Sequence, residues 1–94
     1  MRITVEFVGS LRQASVARTL VRECVEGALL EDLVGGLITE IPALERSLVD
    51  KQLEELKPKA LILVNGREIS VLRGLSTVLK DGDKVVFVPV IHGG

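Results

Sequence analysis

Apolar and polar residues alternate from Arg2 to Val8, with Ile3, Val5 and Phe7 on one side and Arg2, Thr4 and Glu6 on the other. A period of two belongs to a strand with one buried face. Gly9-Ser10 breaks it. Residues 16–25 carry Val16, Leu20, Val21 and Val25 among threonine and arginine and predict a second strand, close enough to pair with the first. The period then changes. Across 28–41, Leu30, Leu33, Val34, Leu37, Ile38 and Ile41 fall on one stripe of a helix. Glu31 and Asp32 occupy its first turn, where the helix dipole favours negative charge, and Pro42 ends it. Gly35-Gly36 lies on the opposite face; without a preceding strand or a following Lys-Ser/Thr it reads as a weak point of the helix rather than a phosphate loop.

Beyond Pro42, the spacing of Leu44, Leu48, Val49, Leu53 and Leu56 predicts a second, weaker helix over 43–56, stopped by Lys57-Pro58. Ala60 to Val64 is a wholly apolar strand, and Asn65-Gly66 is a hairpin-turn signal because both residues tolerate positive φ. Residues 67–71 predict the return strand, Gly74 to Leu79 a turn or short helical piece, and Asp81-Gly82-Asp83 a tight turn into a last strand, Lys84 to Val90. The order β-β-α-(α)-β-β-β is that of an α+β domain with helices on one face of a mixed sheet. In the last strand Val85 and Phe87 point one way and Val86, Val88 and Val90 the other. Two modest helices cover one face of such a sheet, so one apolar set is expected on an exposed surface, where it marks a binding site. The plainer alternative is that these valines are β-formers on a solvated face.

Composition narrows the function. The 94 residues make one domain, and 47% hydrophobic content against 27% charge favours a packed core over disorder. With 12 basic and 13 acidic residues spread along the chain, and Phe7 and Phe87 the sole aromatics, neither a basic block nor a stacking platform offers itself to nucleic acid. Cys24 is the single cysteine, which excludes an internal disulfide and suits a reducing cytoplasm; it is expected to be structural rather than reactive. No apolar run approaches the length of a membrane span, and no signal peptide precedes the first strand. No His/Cys/Asp cluster has metal-ligand spacing and no nucleophile motif is present. The pairs Glu54-Glu55 and Asp81/Asp83 read as solvated charge. A self-contained enzyme is therefore not expected; a protein acted on by enzymes is.

The strand at 84–90 runs directly into Ile91-His92-Gly93-Gly94. Two residues without Cβ at the end of the chain leave a carboxylate on the least hindered backbone available, able to enter a narrow channel. The bland alternative is a frayed terminus.

The stretch from Leu79 to Gly94 resembles the ending of the β-grasp sulfur carriers, whose pattern Leu-x-Asp-Gly-Asp-x-Val-x-Phe, a short linker and Gly-Gly is met here by Leu79, Asp81, Gly82, Asp83, Val85, Phe87, Gly93 and Gly94. Asn65-Gly66, the Leu30/Leu33/Leu37 helix, Pro42-Ala43-Leu44, and Phe7 with Arg12 also match, so the likeness covers nearly the whole chain. The family includes the small subunit of molybdopterin synthase, the thiamine sulfur carrier and the ubiquitin-related modifier. Pro89-Val90 stands where molybdopterin synthase small subunits usually have Pro-Pro, and His92-Gly93-Gly94 is closer to the ubiquitin-related modifier and archaeal small modifiers.

The resemblance implies a β-grasp, ubiquitin-like domain over 1–90, a mixed sheet on one main helix plus a short second one, and a flexible diglycine tail over 91–94. It implies that an E1-like activating enzyme, using ATP and Mg²⁺, adenylates the carboxylate of Gly94; no cofactor or metal is expected on the chain itself. The adenylate would become a thiocarboxylate that donates sulfur to a molybdopterin precursor or a tRNA base, with a synthase large subunit or a tRNA-thiolation enzyme as partner. Alternatively it would acylate a lysine of a target protein. Gly93 would allow close approach, and Ile91 and His92 would be gripped as extended strand. Val86 and Val88, with Val8, would form the docking patch, and Arg12 would supply a charge contact. His92 is either a simple tail contact or a local acid or base. A pure ubiquitin-like binding module, with an incidental tail, is the alternative from a different class.

Overall fold

The computed structural model describes residues 1–9, 18–52, 55–58 and 60–89. In chain order the elements are β1 (Arg2–Phe7), β2 (Thr19–Glu23), α1 (Leu30–Glu40), α2 (Glu45–Leu48), β3 (Val49–Gln52), β4 (Glu55–Pro58), β5 (Ala60–Val64), β6 (Arg67–Glu68) and β7 (Lys84–Pro89), with single 3-10 turns at Pro42–Leu44, Ile69–Val71 and Gly74–Ser76. Five strands form one sheet in the order β2-β1-β7-β5-β6. β1 and β7 pair in parallel at its centre, and the remaining pairs are antiparallel. This is the β-grasp arrangement: a mixed sheet packed on one main helix.

Alternation dictates which face is buried. Ile3, Val5 and Phe7 of β1, Ala60, Ile62 and Val64 of β5, and Val85 and Phe87 of β7 meet Leu30, Leu33, Val34 and Leu37 of α1 in a single core. Phe7 and Phe87 are register partners across the parallel pair, and their rings stack 5.6 Å apart between centroids. Helix α1 occupies the span the periodicity predicts, with Ile38 and Ile41 packed at the core's margin. Asp32 in the first turn does more than face the dipole: its carboxylate accepts from Leu29 N–H at 2.8 Å, satisfying a donor the helix leaves unpaired.

A parallel pair has no hairpin to fix its register. Here the Asp81-Gly82-Asp83 turn does so. Asp81 Oδ1 accepts from Arg2 N at 2.7 Å, Gly82 N donates to Arg2 O, and Thr4 N donates to Asp83 O. The turn is also tied to the hairpin between β5 and β6. Asn65 and Gly66 both adopt positive φ (51° and 83°), as a two-residue loop requires. Asn65 Oδ1 accepts from Lys84 N at 2.9 Å and Nδ2 donates to Asp83 Oδ1 at 2.8 Å, while Asp83 Oδ2 accepts from Lys80 N. Asp83→Ala removes an acceptor from both Lys80 N–H and the Asn65 amide. It is expected to lower unfolding free energy by about 1–2 kcal/mol. A urea titration checks this; an unmoved midpoint would mean that water replaces both partners at no cost.

Two expectations are corrected. The predicted second helix over 43–56 stops at Leu48. Residues Val49–Gln52 and Glu55–Pro58 instead form a separate antiparallel pair, with Val49 opposite Pro58. Pro58 biases the residue before it toward extended backbone, and a pairing partner in strand form satisfies more main-chain groups than one marginal helical turn. The return strand predicted over 67–71 is two residues long, because the Glu68 carboxylate accepts from Ser70 N and turns the chain into a 3-10 turn at Ile69. The second strand is described from Thr19 to Glu23; Val16 lies outside the described residues, as does Val90 of the last strand.

Candidate functional site

The site is organised by β7, which leaves the centre of the sheet at Pro89 and leads into residues 90–94. Its register exposes one set of side chains. Val85 and Phe87 are fully buried, so Val86 and Val88 point outward, half-buried by their neighbours. Across the strand pairs, Val86 stands between Glu6 of β1 and Leu63 of β5, and Val88 stands opposite Leu61 of β5. Beyond β1, Val8 N donates to Phe87 O at 3.1 Å, which carries Val8 along the same edge of β7. Val8 and Leu61 are each more than a third exposed, at 37% and 38%. Val8, Leu61, Leu63, Val86 and Val88 therefore form one apolar surface beside the strand's exit. Isolated exposed valines are ordinary, but a contiguous set on a sheet face is the kind of surface another protein covers.

The border of the surface is charged. Lys84 Nζ lies 3.0 Å from Glu6 Oε2 on the same outer face, a partly exposed pair that frames the patch and adds little stability. At the exit itself Gly9 has φ +61°, and a Cβ placed there would come within 3.2 Å of the Pro89 ring. The loop after β1 thus closes directly on the last residue of β7, and a side chain at position 9 would push on the point from which the tail departs.

Of the residues predicted for the site, Val8, Val86 and Val88 lie together on this surface. Arg12, Ile91, His92, Gly93 and Gly94 lie outside the described residues. Leu61 and Leu63 were not singled out from the sequence. Their signal was present: Ala60-Leu61-Ile62-Leu63-Val64 is apolar at every position, and a strand facing the core on one side only must show its alternate residues to something else. Cys24 is half-buried against the core. Among the described residues, no group of three or more His, Cys, Asp or Glu side chains is placed to hold a metal ion. No described helix is long and apolar enough to cross a membrane.

Three comparisons with known proteins bear on this arrangement. The model of the ThiS family matches residues 5–94. Small archaeal modifier protein 3 of Haloferax volcanii is 30% identical over 94 residues, covering the whole of both chains. Among solved structures, small archaeal modifier protein 1 of Methanosarcina acetivorans superposes with a TM-score of 0.83 at 31% identity, over 99% of this chain and 96% of that one. Urm1 of Trypanosoma brucei does so with a TM-score of 0.79 at 34% identity, over 99% and 95%.

Proposed function

Starting from the premise that this chain belongs to the ThiS family, we propose that it is a ubiquitin-like sulfur carrier working through the carboxylate of Gly94. The carrying observation is the course of β7. The central strand of the sheet runs past an apolar surface to Pro89, and in sequence Val90 and Ile91-His92-Gly93-Gly94 follow it. In this reading the folded body is a handle and the tail is the reacting group.

A bare carboxylate is a poor acyl donor because its leaving group would be oxide. Attack of a Gly94 carboxylate oxygen on the α-phosphate of ATP expels pyrophosphate and leaves an acyl-adenylate, whose leaving group is AMP. The activating enzyme supplies the ATP site and Mg²⁺. A persulfide sulfur then attacks the acyl carbon and AMP departs. The new bond is C–S, giving an acyl disulfide. A second thiol then attacks the inner sulfur of the original persulfide S–S bond, forming a disulfide with the sulfur donor and releasing the thiocarboxylate, which can donate sulfur to a molybdopterin precursor or a tRNA base. A synthase large subunit or tRNA-thiolation enzyme is the receiving partner. Val8, Leu61, Leu63, Val86 and Val88 dock the body, and Arg12 adds a charge contact. Gly93 permits entry to a narrow channel, and Ile91 and His92 are held there as strand by main-chain hydrogen bonds. The chain binds no cofactor of its own and acts as substrate, not catalyst. A cytoplasmic, reducing setting suits both the thiol chemistry and the single Cys24.

A second reading is favoured by the relatives named as modifiers: the same acyl-adenylate, or a thioester formed from it, is attacked by the ε-amine of a target lysine. The two readings share every step up to the adenylate and differ in the nucleophile. Mass spectrometry of the C-terminal peptide, from protein purified without added thiols, distinguishes them. Exchange of one oxygen for sulfur is expected for the carrier; lysines of other proteins carrying the peptide 85–94, left by tryptic cleavage after Lys84, are expected for the modifier. Finding neither in the native host would overturn both.

A further inference from the structure

At the end of the sheet away from the tail, the chain between β6 and β7 encloses a groove that the proposed chemistry leaves unused. One part, about 580 Å³, is lined by Val71, Leu72, Arg73, Thr77 and Val78. A second part of about 450 Å³ shares Leu72, Thr77 and Val78 and extends to Arg67, Lys80 and the carboxylate of Asp83. The floor is apolar in effect. Leu72 is packed against the core, and the buried Thr77 hydroxyl is occupied, donating to Gly74 O at 2.7 Å and accepting from Arg73 N. Val71 and Val78 stand on the walls at 73% and 48% exposure, two of the most exposed large apolar residues described outside the tail-side patch. The wall is held in place: Leu30 N donates to Thr77 O at 2.8 Å and Leu79 N to Ala28 O at 2.9 Å, fixing the strip to the start of α1.

The rim is cationic. Arg67, Arg73 and Lys80 are exposed, and none of them joins an ion pair among the described residues. One carboxylate, Asp83, lines the groove and accepts from Lys80 N and Asn65 Nδ2, while Glu68 accepts from Ser70 N; the three cations outnumber the single lining carboxylate. No aromatic side chain is available to stack a base, since both phenylalanines are buried in the core. Apolar walls with a cationic rim complement an acidic chain that carries an aliphatic side chain.

We propose that this groove docks an extended acidic segment of a partner protein, with one aliphatic side chain seated over Leu72 between Val71 and Val78 and carboxylates against Arg67, Arg73 and Lys80. The groove lies at the Lys84 end of β7 and the tail departs after Pro89, so strand β7 separates the two by about 20 Å. A partner held here can keep the chain while its tail is inside an enzyme. The charges set rate of encounter and selectivity, and the buried aliphatic group sets lifetime.

The test uses the full ¹⁵N-labelled chain titrated with a peptide of Asp and Glu containing one central Leu. Saturable amide shifts centred on Leu72, Arg73, Thr77 and Val78 are expected, weakening as salt is raised. Arg73→Glu combined with Lys80→Glu is expected to weaken binding roughly tenfold or more, as is replacing the peptide's Leu with Asp. Removing Gly93 and Gly94 should leave it unchanged, which separates this surface from the tail chemistry. The proposal is overturned by the absence of saturable shifts, by equal binding of a single-stranded oligonucleotide, by shifts centred on Leu61 and Val88, by indifference to the charge reversal, or by shifts that follow protein concentration without peptide and so report a second copy.

Discussion

Deleting Gly94, or adding one residue after it, is expected to abolish adenylation and every later transfer while urea unfolding stays unchanged. The core of the described residues is built from β1, β5, β7 and α1, so the fold is not expected to register the change. The chemistry should register it fully. One added residue moves the carboxylate by about 3.3–3.6 Å, and misplacement of a reacting group by even 1 Å costs on the order of a hundredfold. ATP–pyrophosphate exchange with the cognate activating enzyme is the measurement, because it reports adenylate formation whichever nucleophile follows. The same deletion leaves a pure binding module intact. A Gly94-deleted chain that still supports exchange would sink the carrier and modifier readings together.

The parts of the fold that could be read from sequence are those where local pattern and tertiary position agree. β1 alternates because one face is core and the other is not. Helix α1 shows its stripe because it lies on the sheet along its length. Asn65-Gly66 and Asp81-Gly82-Asp83 are short-range turn signals, and short-range geometry is what a sequence records most directly. Residues 49–58 were misread because Leu44 and Leu48 do start a helical stripe, and Leu53 and Leu56 continue its arithmetic. Nothing in that spacing tells a helix from two short strands, and the deciding residue, Pro58, acts through its neighbour's backbone. The apolar surface was half legible for a related reason. Val86 and Val88 could be assigned to one face of β7, but which residues of β5 stand beside them depends on register. That register is set by the Asn65 amide, which donates to Asp83 and accepts from Lys84 N, contacts between segments about twenty residues apart that no periodicity encodes.

The DGD turn ties the chemistry to the fold. Its bonds to Arg2 fix β7 against β1, and that register determines that Phe87 faces the core and that Val88 faces out. A slip of one residue would turn Phe87 into solvent and bring Val86 and Val88 inward. In the carrier reading, the turn determines which surface accompanies the Gly94 carboxylate to a partner.

That surface gives the second large effect. Leu61→Asp and Val88→Asp, made singly, are each expected to weaken docking to the activating enzyme by about 2 kcal/mol or more, near thirtyfold in affinity, since an uncompensated carboxylate would be buried at the centre of the contact. Both side chains point away from the core and face each other across β5 and β7, so the cost to folding should stay within about 1 kcal/mol. The kinetic signature is specific. The tail is untouched, so pyrophosphate exchange at saturating carrier keeps its kcat while KM for the carrier rises. Val21→Asp is the matched control. Val21 is 62% exposed on edge strand β2, opposite Thr4, on the same outer face but two strands from β7 and level with its Lys84 end, and its substitution should leave KM within about twofold, an effect below 1 kcal/mol. If all three variants raise KM alike, the effect is added negative charge and not a localised surface. If kcat falls with KM constant, Leu61 and Val88 act on the chemical step and the docking assignment fails.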